Sequence, residues 1–118
     1  MLLIGGSFAP TGKAKTSTKQ SVVVEFPEKV KLLDVFLKGE YVFVHDEEKM
    51  ARGEDCTYVY TSVSGQPGSL VASFHCRPTQ RKRADHFTIV TTRLLPDLFE
   101  LQEYQFAGST EGHQVPRS

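Results

Sequence analysis

The sequence has no tryptophan, no surplus of either charge and no long apolar run, and each absence removes a class of protein. Fourteen Lys and Arg balance fourteen Asp and Glu. A neutral chain lacks the positive field that dominates nucleic-acid affinity, so no nucleic-acid partner is expected. No stretch approaches the ~18 consecutive apolar residues of a membrane-spanning helix, so no membrane span is expected either. Sequence signals for enzymes are also missing. The chain has no GxSxG, HExxH, P-loop or GxGxxG pattern, and each of these fixes a catalytic or phosphate-binding geometry that composition alone cannot supply. No enzymatic activity is therefore expected, and any enzyme would belong to a class the motifs do not reveal. Asp46 and Glu100 stand as isolated carboxylates, and a Cys76 nucleophile paired with His45 or His86 would lie on a core face, where a thiol is inert.

Helix is scarce too. The one helical candidate is a turn or two at residues 47–52 (EEKMAR), between Asp46 and Gly53. What fills the chain is short β-branched and aromatic runs at 21–26, 30–37, 40–45, 56–62, 70–76, 86–93 and 98–106. Turn residues separate them: Pro27, Lys38-Gly39, the 64–69 stretch SGQPGS, Pro78 and Pro96-Asp97. This spacing predicts an all-β fold, a small antiparallel sandwich or barrel-like domain of about seven strands with flexible ends. The expected organisation is a tail or signal-peptide remnant at 1–20, a β domain at 21–106 and a C-terminal tail at 107–118. Within the domain, Lys38-Gly39 is expected at the bend of a hairpin. Alternation in the following strand puts Tyr41, Phe43 and His45 on one face.

Only two cysteines are present. A hairpin turning on SGQPGS predicts Cys56 opposite Cys76, Tyr58 opposite Phe74, Tyr60 opposite Ala72 and Ser62 opposite Leu70, all on the core face. Directly opposed antiparallel residues are close enough for a disulfide, and that pairing is the first reading. Two buried free thiols, or a metal or redox site, are the alternatives, although no CxxC or usual zinc spacing occurs.

Histidine supplies the other candidate chemistry. His45 and His75 on neighbouring strands, with His113 from the tail as a third ligand, could hold copper or zinc, with Met50 and the cysteines as soft donors nearby. The plainer alternative is four ordinary histidines and no cofactor. His75 and Cys76 are adjacent in a strand, so they should face opposite ways. Five acids crowd 46–55 and four bases crowd 77–83, and the expectation is that these two loops compensate each other.

The segments LKGEYVFVHD, MARGEDCTYVY, LVASFHC and QFAGSTEGHQVP together resemble a group of short, uncharacterised proteins of environmental bacteria that look exported. The resemblance covers about residues 22–116. It implies a β-rich fold and a periplasmic or secreted location rather than a cytoplasmic one, and it implies no catalytic or binding residue. The chain departs from the group in its weak N-terminus. The leading expectation is a small, exported, non-enzymatic binding or structural module, with an unknown protein partner or self-association. A metal-binding protein is the alternative.

Overall fold

The computed structural model describes residues 19–116, so residues 1–18 of the tail or signal remnant expected at 1–20 lie outside the described residues, while Lys19 and Gln20 open the first strand. Eight strands and one short helix follow in chain order. They are β1 (Lys19–Leu32), β2 (Val35–Asp46), α1 (Glu47–Ala51), β3 (Thr57–Val63), β4 (Gln66–Phe74), β5 (Arg77–Gln80), β6 (Thr88–Leu95), β7 (Leu98–Gln105) and β8 (Glu111–Gln114). The strands join in one mixed sheet of order β4-β3-β2-β1-β7-β8-β5, with β6 along β7. The sheet curls into a half-barrel. The all-β expectation holds, with one more strand than the sequence suggests.

Curling follows from alternation and bulges. In β1, Val24 and Phe26 are buried while Val23 and Glu25 face out, the period-2 pattern of a half-buried strand. Between Phe26 and Val30 the β1–β2 register slips, with Pro27 inside the slip and Gly39 at φ 96 opposite Phe26. A bulge of this kind bends the strand and raises its twist. Pro27 sits where its missing N–H breaks no ladder bond. The hairpin bend itself falls at Leu33-Asp34, so the turn expected at Lys38-Gly39 is corrected. Lys38-Gly39 continues β2, because Leu32 and Leu37 are both buried and must flank the bend to reach the core together.

The β3–β4 hairpin also departs from expectation. It reverses on Ser64-Gly65, with φ of 53° and 80°, the pair of positive values that a tight two-residue turn requires. Gln66–Ser69 therefore belongs to β4 rather than to a loop, and two irregularities in the ladder then shift the register. Thr57 faces Phe74, Tyr58 faces Ser73 and Val59 faces Ala72. The core face of β3 carries Thr57 and Val59, both fully buried, instead of Tyr58 and Tyr60. Thr57 is tolerated inside because its hydroxyl shares a hydrogen bond with the Tyr104 hydroxyl.

The composition of residues 107–118 marks a tail, yet Glu111–Gln114 is β8, hydrogen-bonded between β5 and β7. Four residues with no β-branched or large apolar side chain carry little strand signal of their own. They are held by tertiary pairing on both sides. Pro78, read as a break between strands, lies within β5, whose position at the end of the sheet tolerates a missing donor. The expected turn at Pro96-Asp97 is present between β6 and β7.

The concave face encloses the core: Val24, Phe26, Val30, Leu32, Leu37, Phe43, Val59, Phe74, Leu101, Tyr104 and Phe106, together with both cysteines. Phe43 and Tyr104 meet edge to face at 5.6 Å between centroids, and Phe87 packs on both Tyr104 and Phe106. At one end this aromatic packing runs into two histidines.

Candidate functional site

His45 ends the inward row Tyr41, Phe43, His45 on β2, the face that alternation predicts. His113 is the third residue of β8 and pairs with Pro78 on β5 and Tyr104 on β7. The strands β2 and β8 are separated by β1 and β7, so only the curl of the sheet brings them together. The two rings lie 4.0 Å apart between centroids, each with about 1% of its surface exposed. Tyr104 and Phe106 pack against the His113 ring from the apolar side.

Cys76 lies where the chain leaves β4 at one end of the sheet order and starts β5 at the other. Its sulfur is 3.8 Å from His113 Nδ1 and 3.8 Å from Met50 Sδ. Ligand atoms of His45, Cys76 and His113 all lie within 4.8 Å of one another, and all three residues are buried. Cys76 is bridged to Cys56, with Cα atoms 6.3 Å apart. The expected disulfide is therefore present, although the expected register is not. Extending the observed ladder would set Cys56 opposite His75. The bridge forms because both cysteines lie just beyond the last paired residues, Thr57 and Phe74, where strict alternation ends. The Cys76 amide donates to Cys56 Sγ at 3.1 Å, and the Cys56 amide to the Phe74 carbonyl at 3.0 Å, which fixes both sulfurs inside.

The sequence places His45, His75 and His113 as candidate ligands. The fold brings His45 and His113 together and sets His75 apart, exposed, with its Nδ1 against the Glu54 carbonyl at 3.1 Å. His75 and Cys76 do point to opposite sides, as their adjacency requires. Cys76 takes the third position, and the signal for it was that same adjacency: a strand that turns His75 outward turns Cys76 inward.

Burial, more than any charged neighbour, tunes the two imidazoles. Burial lowers the His45 pKa to about 4, outweighing the charge of Asp46, which pulls the other way. Burial and the neighbouring His45 lower His113 to about 4, against the opposing charge of Glu103. Both rings are therefore neutral near pH 7, with a lone pair free on each. Glu47 Oε1 approaches His45 Nδ1 at 3.6 Å, and Glu111 Oε1 approaches His113 Nε2 at 3.7 Å. These approaches are longer than direct hydrogen bonds. Burial and the Glu47 charge raise the pKa of Glu111. The remaining nitrogen, His45 Nε2, is buried without a hydrogen-bond partner.

Helix α1 closes this end of the half-barrel. Asp46 caps it, accepting from the Lys49 amide at 3.2 Å, and Glu47 and Glu48 occupy its first turn, where the sequence places the helix. None of its residues is fully buried, and Met50 is the one that packs onto the core. The acidic segment 46–55, which contains α1, and the basic segment 77–83, both among the described residues, make no ion pair with each other, contrary to expectation. Arg81 instead holds the buried Glu103 carboxylate through two bonds of 2.7 and 2.8 Å, which lowers the carboxyl pKa. Arg52 pairs with Glu54 inside the acidic segment. Glu103 attracts Arg81 because a buried carboxylate needs a bidentate partner more than an exposed one does.

Among the described residues, no helix is long and apolar enough to cross a membrane. Compared with known proteins, the chain matches no family model, no curated protein and no solved structure.

Proposed function

We propose that this protein binds a transition-metal ion, copper or zinc, through His45, His113 and Cys76. The observation that carries the reading is the buried cluster itself, in which three ligand-type atoms lie within 4.8 Å of one another. Ligand atoms around one tetrahedral ion stand roughly 3.3–3.8 Å apart, given metal–nitrogen bonds near 2.0 Å and metal–sulfur bonds near 2.3 Å. The separation of His113 Nδ1 and Cys76 Sγ, 3.8 Å, needs almost no adjustment. His45 Nε2 supplies the second nitrogen, since Nδ1 of the same ring faces Glu47. A buried imidazole nitrogen without a partner costs free energy, and a metal bond would satisfy it.

The surroundings support the same reading. Glu47 and Glu111 lie 3.6 and 3.7 Å from the ring nitrogens that would not bind metal, where a small side-chain rotation would let a carboxylate orient each ligating ring. The exported binding module expected from the sequence becomes, on this reading, a carrier or sensor of a metal ion. Cys76 serves as a ligand on this reading once its bridge to Cys56 is reduced, because the thiolate is the metal-binding form.

The experiment is metal titration of chelator-treated, thiol-reduced protein, followed by competition with a chromophoric chelator and by elemental analysis. A single equivalent of ion is expected, lost in His45→Ala and in His113→Ala but retained in His75→Ala. Equal binding by all three variants, or none by the parent protein, would overturn the reading.

A further inference from the structure

Cys76 has two partners within reach, and it cannot serve both. In the bridged form its sulfur is bonded to Cys56, while His113 Nδ1 and Met50 Sδ both lie 3.8 Å away. A disulfide sulfur is neutral and a poor metal ligand, whereas a thiolate is a strong one. We propose that metal and disulfide are alternative states of this pocket: the reduced dithiol binds Cu(I), and formation of the Cys56–Cys76 bridge releases it. The proposal rests on the metal-binding reading above and adds the choice of ion and its control.

Softness chooses the ion. Reduction leaves the Cys76 sulfur free as a thiol beside the Met50 thioether and the buried His45 and His113 imidazoles. Thiolate and thioether donors together favour Cu(I), and a thioether adds little for Zn(II). The helix α1 contributes Met50 and buries no residue completely, so the layer over the sulfurs is thin.

The chemistry balances as a thiol–disulfide exchange. A small dithiol, or a dithiol reductase, attacks the bridge, forming its own disulfide and leaving Cys56 and Cys76 as thiols. Both electrons and both protons come from that reductant. Cu(I) then binds Cys76 as the thiolate, displacing its proton to solvent. In reverse, a disulfide oxidant takes two electrons from the two cysteines, one proton from Cys56 and one from solvent, and is reduced to two thiols. The Cys56–Cys76 bond forms, and copper departs as Cu(I), its oxidation state unchanged.

The test compares one protein in two redox states. Wild-type protein is reduced with a phosphine or oxidised with glutathione disulfide, freed of reagent, and titrated anaerobically with Cu(I) against a chromophoric Cu(I) chelator. The bridge is monitored by thiol count and the fold by circular dichroism. The reduced form should bind a single equivalent of Cu(I), and the oxidised form should bind about a hundredfold more weakly or not at all, because the loss of a bonded ligand exceeds the 10–100-fold cost of losing an outer partner. Cys56→Ser keeps Cys76 and both histidines but cannot form the bridge, so oxidant treatment that leaves Cys76 unmodified, checked by thiol count and mass for a mixed disulfide, should not change its Cu(I) affinity. Equal affinity in both wild-type redox states would overturn the gating and leave the metal site standing. Failure of the reduced wild type to bind any ion would remove the metal reading itself. Should Cys56→Ser fold poorly, the two wild-type states decide the question alone.

Discussion

Gly112 shows how closely a single position is tied to the site. A Cβ built there would overlap Glu103 Oε2 and lie 2.9 Å from Glu103 Cδ, so the position beside His113 has no room for a side chain while that carboxylate lies over it. That carboxylate is the one Arg81 holds from two nitrogens. Gly112→Ala must displace Glu103, weaken the Arg81 bonds and move β8. The expected cost is about 1–3 kcal/mol, the range for overpacking a close-fitted position. Removing the obstacle should remove most of the cost: Gly112→Ala in a Glu103→Ala background should be much better tolerated than in the wild type. Denaturant unfolding of the four proteins in that cycle measures the coupling, and additive costs would disprove the contact. From sequence alone Gly112 reads as one more turn residue in a polar tail, because the carboxylate that requires it lies nine positions away on another strand.

Elements whose signal is local were legible, and those built by long-range pairing were not. The sequence marks α1 by its cap, its acidic first turn and the following Gly53, all within eight positions. The strands β6 and β7 are legible through their β-branched and aromatic runs and the Pro96-Asp97 turn. The hairpin registers were not, because bulges in β1–β2 and β3–β4 leave no local mark, and a shift of one residue exchanges faces. The β8 strand was invisible because its strand character comes from β5 and β7. The consequence for the site is direct. Alternation correctly aimed His45 inward, and the bridge could be inferred from two cysteines flanking one hairpin. His113 was legible as a candidate ligand, but its fixed place beside His45 depended on recognising β8. At this scale α1 gives its own prediction, since Met50 is its one packed contact with the core and covers Cys76. Asp46→Ala removes the bond to the Lys49 amide. A lost N-cap typically costs ~0.5–2 kcal/mol. The helix should loosen, and reduction of the Cys56–Cys76 bridge by a small dithiol should quicken while the β spectrum is unchanged. An unaltered reduction rate would mean that α1 does not control access to the sulfurs.

For the molecule as a whole, the curl of the sheet stores a pH dependence. It drives two imidazoles together in an apolar end of the half-barrel, and both are held at a pKa of about 4 against the ordinary 6.5 of a histidine. The folded-state value lies below the unfolded one, so above pH 6.5 neither state binds the proton and folding is unaffected. As pH falls below 6.5 the unfolded chain takes up protons that the folded chain refuses, and stability drops until pH reaches about 4, where the folded rings also charge. Each pKa unit corresponds to ~1.4 kcal/mol, so each histidine can remove up to about 3 kcal/mol, a large share of the ~5–15 kcal/mol typical of a domain. The Glu103 carboxyl, lowered by Arg81, adds a separate loss only in the more acidic carboxylate range. Metal-free, bridged protein should therefore show a falling thermal midpoint between pH 6.5 and 4.5, before most carboxylates titrate. His113→Gln should remove roughly half of that fall, since it deletes one of the two titrating rings. A midpoint that stays level from pH 7 to 5 would mean the two rings are not held neutral by burial, and would remove the electrostatic basis for two free lone pairs at the site.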